Sequence, residues 1–241
     1  MKKKIISIDV GIKNLAYCII ERNDDNFEIL YWDIINILED KIDNLPKCGN
    51  FIKNKLCNKI AVSSIDNNDN VKYFCNKTTC QKFLIKNYPN NKINKLKKIN
   101  TKSFSLLDLS SILINKLTLL KDIILNVDEV IIENQPVLKN PTMKSIQIVL
   151  FSFFVEHGYN SKESLINNIH LFSARDKLKL YKGPVVDTSK IKNNYNKRKF
   201  LSIEYTKYYI NDSKFNEFFL QNNKKDDLAD SFIQGHYYLF K

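Results

Sequence analysis

Three acidic positions stand where a folded chain seldom tolerates charge. The stretch Lys4-Ile5-Ile6-Ser7-Ile8-Asp9-Val10-Gly11-Ile12-Lys13-Asn14 starts as an apolar, β-branched run of the kind that forms a buried strand, and it ends on an acid with a glycine two residues later. An unneutralised carboxylate in a strand core is strongly unfavourable, and Gly11 removes the side chain that would keep a phosphate or metal from the backbone. Taken alone, an Asp-x-Gly is more often a strand ending in a turn. Two further stretches change that reading. Val127 to Pro136 is a second short apolar run, with Glu133 at its end and a proline that stops the strand. Lys224-Lys225-Asp226-Asp227-Leu228-Ala229-Asp230 opens a helical pattern in which Asp230 shares a face with Asp227 or Asp226. Carboxylates converging from two strands and a helix make a hard-oxygen site that selects Mg²⁺ or Mn²⁺. Two such ions about 4 Å apart activate water and stabilise the leaving oxygen of a phosphodiester without a protein nucleophile.

A second constellation is chemically distinct. Cys48, Cys57, Cys75 and Cys80 follow the spacing C-x8-C-x17-C-x4-C, two pairs separated by a longer loop, and four thiolates suit a structural, tetrahedral Zn²⁺. The pairs are wider than the usual C-x2-C knuckle, and four incidental thiols are the bland alternative. Cys18, inside an apolar run, reads as core. His157, His170 and His236 are scattered without ligand spacing and read as structural. The lysines from Lys86 to Lys102 form a run without an acid, which is either a solvated linker or a track for phosphates.

The elements that must position these groups can be read from periodicity. After the first strand, Asn14–Glu21 and Phe27–Ile34 read as a meander joined by hairpin-turn residues Asn23 to Asn26. The pattern degrades from about Asp40 to Lys102. Ser105-Leu106-Leu107-Asp108 resembles a capping box with Asp in place of Glu, and Leu106, Leu109, Leu113, Leu117, Leu120 and Ile124 continue a helix face. The Glu133 strand follows, then a helix from Asn140-Pro141 to about Gly158 that is apolar nearly all round, which predicts burial on several sides or a subunit interface. A strand at Ile169–Phe172, a Lys-rich loop to Lys199, and helices at about Asn196–Tyr209 and Asp227–Phe240 complete the chain. The fold class is α/β, a mixed β-sheet flanked by helices, with a Cys-rich insertion at 40–102 after the third strand of a single nuclease domain at 1–241.

Composition narrows the partners. Lys and Arg outnumber Asp and Glu by 38 to 26, a formal net charge of +12, so the expected partner is acidic. With 44% hydrophobic and 12% aromatic residues the chain folds, unlike a disordered basic tail. Asp9 interrupts the apolar run after Lys2-Lys3-Lys4 far short of a signal peptide, and no segment is long enough for a membrane span. The expectation is a soluble, intracellular protein with reduced cysteines. An actin-like ATPase also begins with strand and Asp-x-Gly, but it needs glycine-rich phosphate loops, and the chain has five glycines in all.

Ile8-Asp9-Val10-Gly11-Ile12-Lys13-Asn14, Glu133-Asn134-Gln135-Pro136, Tyr195-Asn196-Lys197-Arg198-Lys199 and Asp226-Asp227-Leu228-Ala229-Asp230 together resemble the poxvirus-type Holliday junction resolvases. Those belong to the RuvC-like branch of the RNase H superfamily, near the fungal mitochondrial resolvases. The resemblance implies an RNase H-like fold and a homodimeric, Mg²⁺-dependent endonuclease that nicks four-way DNA junctions symmetrically. It implies Asp9, Glu133, Asp227 and Asp230 as metal ligands and Lys199 at the scissile phosphate. It also implies a large DNA virus replicating in host cytoplasm. The insertion is similar to one in resolvases of other large DNA viruses, where C-x-x-H often stands in place of Cys75-x4-Cys80. An RNase H acting on RNA–DNA hybrids and a non-enzymatic zinc-containing DNA-binding protein are the competing classes; the first would need no junction, the second no acids.

Overall fold

The computed structural model describes residues 2–39, 44–67, 70–96, 104–138 and 140–241. The chain forms two compact units, one built from residues 1–38 and 105–241 and the other from residues 39–104.

The first unit is organised on a five-stranded sheet. Strands β1 (Lys2–Asp9), β2 (Leu15–Asn23) and β3 (Asn26–Ile35) form the expected antiparallel meander, and β4 (Glu129–Glu133) and β5 (Asn168–Phe172) add to β1 in parallel, giving the order β5-β4-β1-β2-β3. Two parallel neighbours require crossover connections, and these carry the helices. Helix α1 (Leu106–Leu119) starts on the expected capping box: the Ser105 hydroxyl accepts from the Asp108 N–H at 3.1 Å while the Asp108 carboxylate reaches back to Ser105. Helix α2 (Pro141–Phe154) has Asn140 as its cap, accepting from the Met143 N–H, and runs on into a π-helical turn over Val155–Tyr159, where the sequence led one to expect a single helix to Gly158.

Helices α3 (Asn194–Tyr209) and α4 (Lys225–Phe240) follow β5. Leu228, Ala229, Phe232, Ile233 and Leu239 of α4 are buried in one cluster with Ile5, Cys18, Ile20, Ile29 and Trp32 of the meander and Phe219 of a short helix at Asn216–Gln221. Each such buried large side chain contributes roughly 1.5–3 kcal/mol. Two contacts fix α4 against the sheet more specifically. The Trp32 indole stacks on Phe219, centroids 5.2 Å apart, and donates to the Leu228 carbonyl at 3.1 Å and the Ser231 hydroxyl at 3.2 Å. Where α4 crosses β1, Gly235 leaves no room for a side chain: a Cβ there would come within 2.8 Å of the Ser7 Cβ.

His236, on the same helix, is 8% exposed and lies among the rings of Phe27, Tyr209, Phe232 and Phe240. Burial pulls its imidazole pKa from the usual 6.5 to about 4. The unfolded chain therefore takes up a proton at pH 6.5 that the folded chain refuses until about pH 4, so stability is lost as pH falls through that window. Between pH 7 and pH 5 the group should cost about 2 kcal/mol, at roughly 1.4 kcal/mol per pH unit once below the unfolded pKa. Urea unfolding at the two pH values should show this slope in the native protein, and His236→Phe should flatten it; an unchanged slope in the variant would remove His236 from acid unfolding.

The second unit has its own small core. An antiparallel hairpin of Phe51–Ile52 and Lys55–Leu56 turns at Lys53 and Asn54, both with positive φ (48° and 62°), the backbone that a two-residue hairpin turn demands. Strand Ser63–Asn67 pairs on one side with Asn70–Phe74 and on the other with Ile93–Lys95, and helix Thr78–Asn87 follows the second of these. Ile65, Phe74 and Leu84, with Tyr88 against them, make up the apolar centre. Of the lysine run, Lys86, Lys92 and Lys95 are exposed, whereas Lys97, Lys98 and Lys102 lie outside the described residues.

Candidate active site

The register of β1 and β4 brings two of the three acidic stretches together. Ile8 pairs with Ile132 in the parallel ladder, so Asp9 and Glu133 stand one step further on, side by side at the C-terminal ends of adjacent strands. That end of a parallel sheet is where α/β folds bind ligands. Gly11 serves the turn that follows: a Cβ there would collide with the Asn14 carbonyl, so the glycine is demanded by the tight β1–β2 connection. The sequence reading had assigned it instead to the approach of a metal or phosphate.

Helix α4 supplies the third acid. Its position is set by the Trp32 contacts and by Gln234, whose side-chain amide donates to the Ser7 hydroxyl at 3.2 Å and the Ile8 carbonyl at 3.3 Å, directly before Asp9. Asp230, one turn before Gln234, is thereby held over the end of β1. Its charge and that of Glu133 both act on Asp9. Burial first, then a hydrogen bond with Glu133 and the charges of Glu133 and Asp230, hold the Asp9 carboxyl well above the usual carboxylate range. Asp9 therefore favours its protonated form more strongly than an ordinary carboxylate does.

Lys177 carries the main countercharge, and nothing in the sequence singled it out. It follows β5 after a 3₁₀ turn at Ala174–Asp176 and places its ammonium 2.7 Å from Asp230 Oδ1. Burial works against its charge, yet Asp230, Asp9 and Glu133 together hold its pKa above the ordinary lysine value. The Ser202 hydroxyl of α3 donates to the same Asp230 oxygen at 2.8 Å. Glu133 is oriented by Gln135, whose side-chain amide donates to Glu133 Oε2 at 2.9 Å; the Gln135 N–H in turn donates to the buried Gln147 of α2 at 2.7 Å.

The neighbouring acids divide differently. Asp227 is pushed above the usual carboxylate range by burial, then by the charges of Asp226 and Asp230. The cap position of α4 is Lys224, and Asp226 lies inside the first turn. There it pairs with Lys199, which holds its carboxyl low in spite of burial. Lys199, expected at the scissile phosphate, is thus bound to Asp226 and cation–π stacked on Tyr195 at 5.3 Å. Lys199 lies beside Asp226 because α3 packs along α4; the lysine that pairs with Asp230 was not singled out by the sequence.

The donor set suits a divalent cation. Burial and the neighbouring charges of Glu133 and Asp230 disfavour the Asp9 carboxylate even with the Lys177 ammonium beside it, and a cation held among these oxygens would offset that charge. Among the described residues, the one group of three or more His, Cys, Asp or Glu side chains placed to hold a metal is Cys48, Cys57, Cys75 and Cys80, whose sulfurs lie within 4.8 Å of one another. The histidines lie apart from the acids: His236 in its aromatic cage, His170 against Tyr238 at 2.9 Å, His157 against Phe153.

A mixed sheet in this strand order, flanked by helices, is an RNase H-like fold, and the family match adds the class, that of the resolvases. Residues 5–137 match the family described as mitochondrial resolvase Ydc2 / RNA splicing MRS1, and the chain belongs to that family. An uncharacterized protein of Acanthamoeba polyphaga mimivirus is 30% identical, the match covering 98% of this chain and 74% of that protein. Among solved structures, the yeast mitochondrial Holliday junction resolvase Ydc2 shares the fold, with a TM-score of 0.51 and 17% identity over 98% of this chain and 79% of that one. The Fowlpox virus resolvase, solved with Holliday junction DNA, matches with a TM-score of 0.44 and 18% identity over 99% of both chains. Among the described residues no helix is long and apolar enough to cross a membrane.

Proposed function

We propose that this chain is a metal-dependent endonuclease that resolves four-way DNA junctions by nicking two strands of like polarity symmetrically. The observation that carries the reading is the convergence of Asp9, Glu133 and Asp230, with Asp227 one turn before Asp230, at the C-terminal edge of a parallel strand pair. The family's description joins a resolvase to a splicing protein, and a buried set of acids that must be partly neutralised to fold favours the hydrolytic member of that pair.

Two Mg²⁺ ions, or Mn²⁺ in their place, bound by Asp9, Glu133, Asp227 and Asp230 would supply the activation of water and the stabilisation of the leaving 3′ oxygen. The chain's own residues do the rest. Gln135 fixes the Glu133 carboxylate through its amide, and Ser202 fixes Asp230. Lys177 keeps the acids together until a divalent cation takes over their charge. Lys199, held by Asp226 at the start of α4, is the candidate contact to the scissile phosphate.

The net charge of +12 supports binding to several duplex arms at once through counterion release. Symmetric nicking needs two active sites related by a two-fold axis. The outer side of α2 is the candidate interface: Ile148, 46% exposed, and Ile114 of α1, 40% exposed, flank a cavity of about 250 Å³ lined also by Val149, Phe153 and His157. The mimivirus relative supports a viral enzyme; action at replication sites in host cytoplasm is part of the same proposal.

The test is cleavage, with Mg²⁺, of a synthetic four-way junction set beside an RNA–DNA hybrid and a plain duplex, with light scattering on the enzyme–junction complex. The expected result is paired nicks in the junction alone, by a species with the mass of two chains. Preferential cutting of the hybrid would replace the reading by an RNase H, and binding without cutting in any metal would leave a DNA-binding protein.

A further inference from the structure

Residues 39–104 contain a second, chemically separate centre. We infer that Cys48, Cys57, Cys75 and Cys80 hold one tetrahedral Zn²⁺ ion and that this ion fixes the fold of their unit.

The backbone brings the four sulfurs together from three directions. The hairpin turning at Lys53 and Asn54 folds the Cys48 and Cys57 ends of its strands onto each other, with the Cys57 N–H donating to Asn50 O at 2.8 Å and the Asn58 N–H to Cys48 O at 3.1 Å. The Gly49 N–H bonds the Tyr73 carbonyl at 3.0 Å, which ties this hairpin to the strand leading into Cys75. Cys80 sits in the first turn of the helix Thr78–Asn87, which brings its sulfur in from the third direction. All four Sγ atoms lie within 4.8 Å of one another, and Cys57 and Cys75 are 3.7 Å apart. Sulfurs placed tetrahedrally around zinc at about 2.3 Å are separated by about 3.8 Å, whereas a disulfide requires about 2.05 Å.

A repeated contact argues further that the sulfurs are built as ligands. Cys48, Cys57 and Cys75 each accept a hydrogen bond from the backbone N–H two residues ahead, from Asn50, Lys59 and Lys77 respectively. The same local turn thus appears three times, each time aiming an amide at a sulfur. Such outer-shell donors orient a thiolate ligand and compensate its charge. Cys48, Cys75 and Cys80 are buried, and four ligands from one chain close the coordination sphere, as in structural rather than catalytic zinc sites.

The need for a staple is visible in the rest of the unit. Its apolar centre is Ile65, Phe74 and Leu84, and the cysteines form a second cluster in which Ile52 is the apolar side chain packed against them. Small cores of this kind fold when a metal or cross-link is added. The acids of the other unit offer oxygen donors, a set chemically distinct from these four sulfurs.

The full chain, purified under reducing conditions without added metal, should contain about one zinc per chain. A zinc-selective chelator should expose residues 39–104 to limited proteolysis while the fragments on either side survive. After denaturation all five cysteines should titrate as thiols. Co²⁺ added to the zinc-free protein should give the intense visible bands of a tetrahedral thiolate complex, a readout independent of any variant. Cys75→Ser should lose the metal, and Cys18→Ser, in the core of β2, should keep it. Absence of metal, iron in place of zinc, fewer than five titratable thiols, or a chelator that leaves the proteolytic pattern unchanged would each overturn the assignment.

Discussion

Replacing Asp9 by asparagine should lower junction cleavage in Mg²⁺ by more than about a hundredfold, the upper end of what even an outer-shell change costs a metal site, while leaving junction binding within a few-fold. Glu133→Gln and Asp230→Asn should do the same, because each removes charge needed for the cation rather than a contact to DNA. A single-turnover gel assay at saturating enzyme, beside a mobility-shift titration, separates the two effects. The Asp9 carboxyl also allows a check against misfolding. Burial and Glu133 hold it above its ordinary 3.8, so in the metal-free protein the folded state binds a proton that the unfolded state has already released. Stability of the metal-free native chain should therefore fall as pH rises past the usual carboxylate range, and Asp9→Asn should not share that fall. An inactive variant that is as stable as the native chain, or more so, at neutral pH is the expected pair of results. Cleavage retained by Asp9→Asn would sink the carboxylate assignment, and full cutting by Asp227→Asn would move the fourth ligand to Asp226.

The largest effect on stability should come from Lys177. It is 13% exposed at its side chain and pairs with Asp230 while facing Asp9 and Glu133. Removing one member of a buried pair leaves an uncompensated charge and costs about 3–5 kcal/mol. Lys177→Met should therefore unfold at much lower urea concentration than the native chain at pH 8. Two conditions should rescue it. At lower pH the acids can take up protons in place of the lysine, so the deficit should shrink. Millimolar Mn²⁺ should restore stability by binding the folded state, and more so than in the native chain, where the ammonium competes for the same oxygens. A variant with native stability in the absence of metal would show that Lys177 is not the countercharge of the cluster.

The local features were legible because each is written in a few adjacent residues. The capping box at Ser105 and Asp108, the Asn140 cap and the hairpin turn at Asp24 follow from side chains meeting their own backbone. Asp9, Glu133 and Asp230 stood out for a similar reason, since an acid that ends an apolar run, or opens an apolar helix, conflicts with its surroundings unless something neutralises it. The small core of residues 39–104 was harder to read, because its strands are short and the turn of its first hairpin is made by Lys53 and Asn54 rather than by glycine.

Sequence by itself determined which residues are candidates for chemistry: the acids, the four cysteines and the excess of lysines, all of which are matters of residue type and spacing. Tertiary structure alone decided their pairing. Lys177 lies far from Asp230 in sequence and sits in a polar, Lys-rich stretch where no pattern distinguishes one lysine from the next; only the parallel docking of β5 on β4 carries it to the acids. Lys199 and Asp226 are joined because α3 lies along α4, and Gly235 matters because α4 crosses Ser7 at the distance of a missing Cβ. Ion pairing and close packing depend on separations of a few ångströms between elements remote along the chain, and those separations are fixed by sheet register and helix docking, which single residues do not encode.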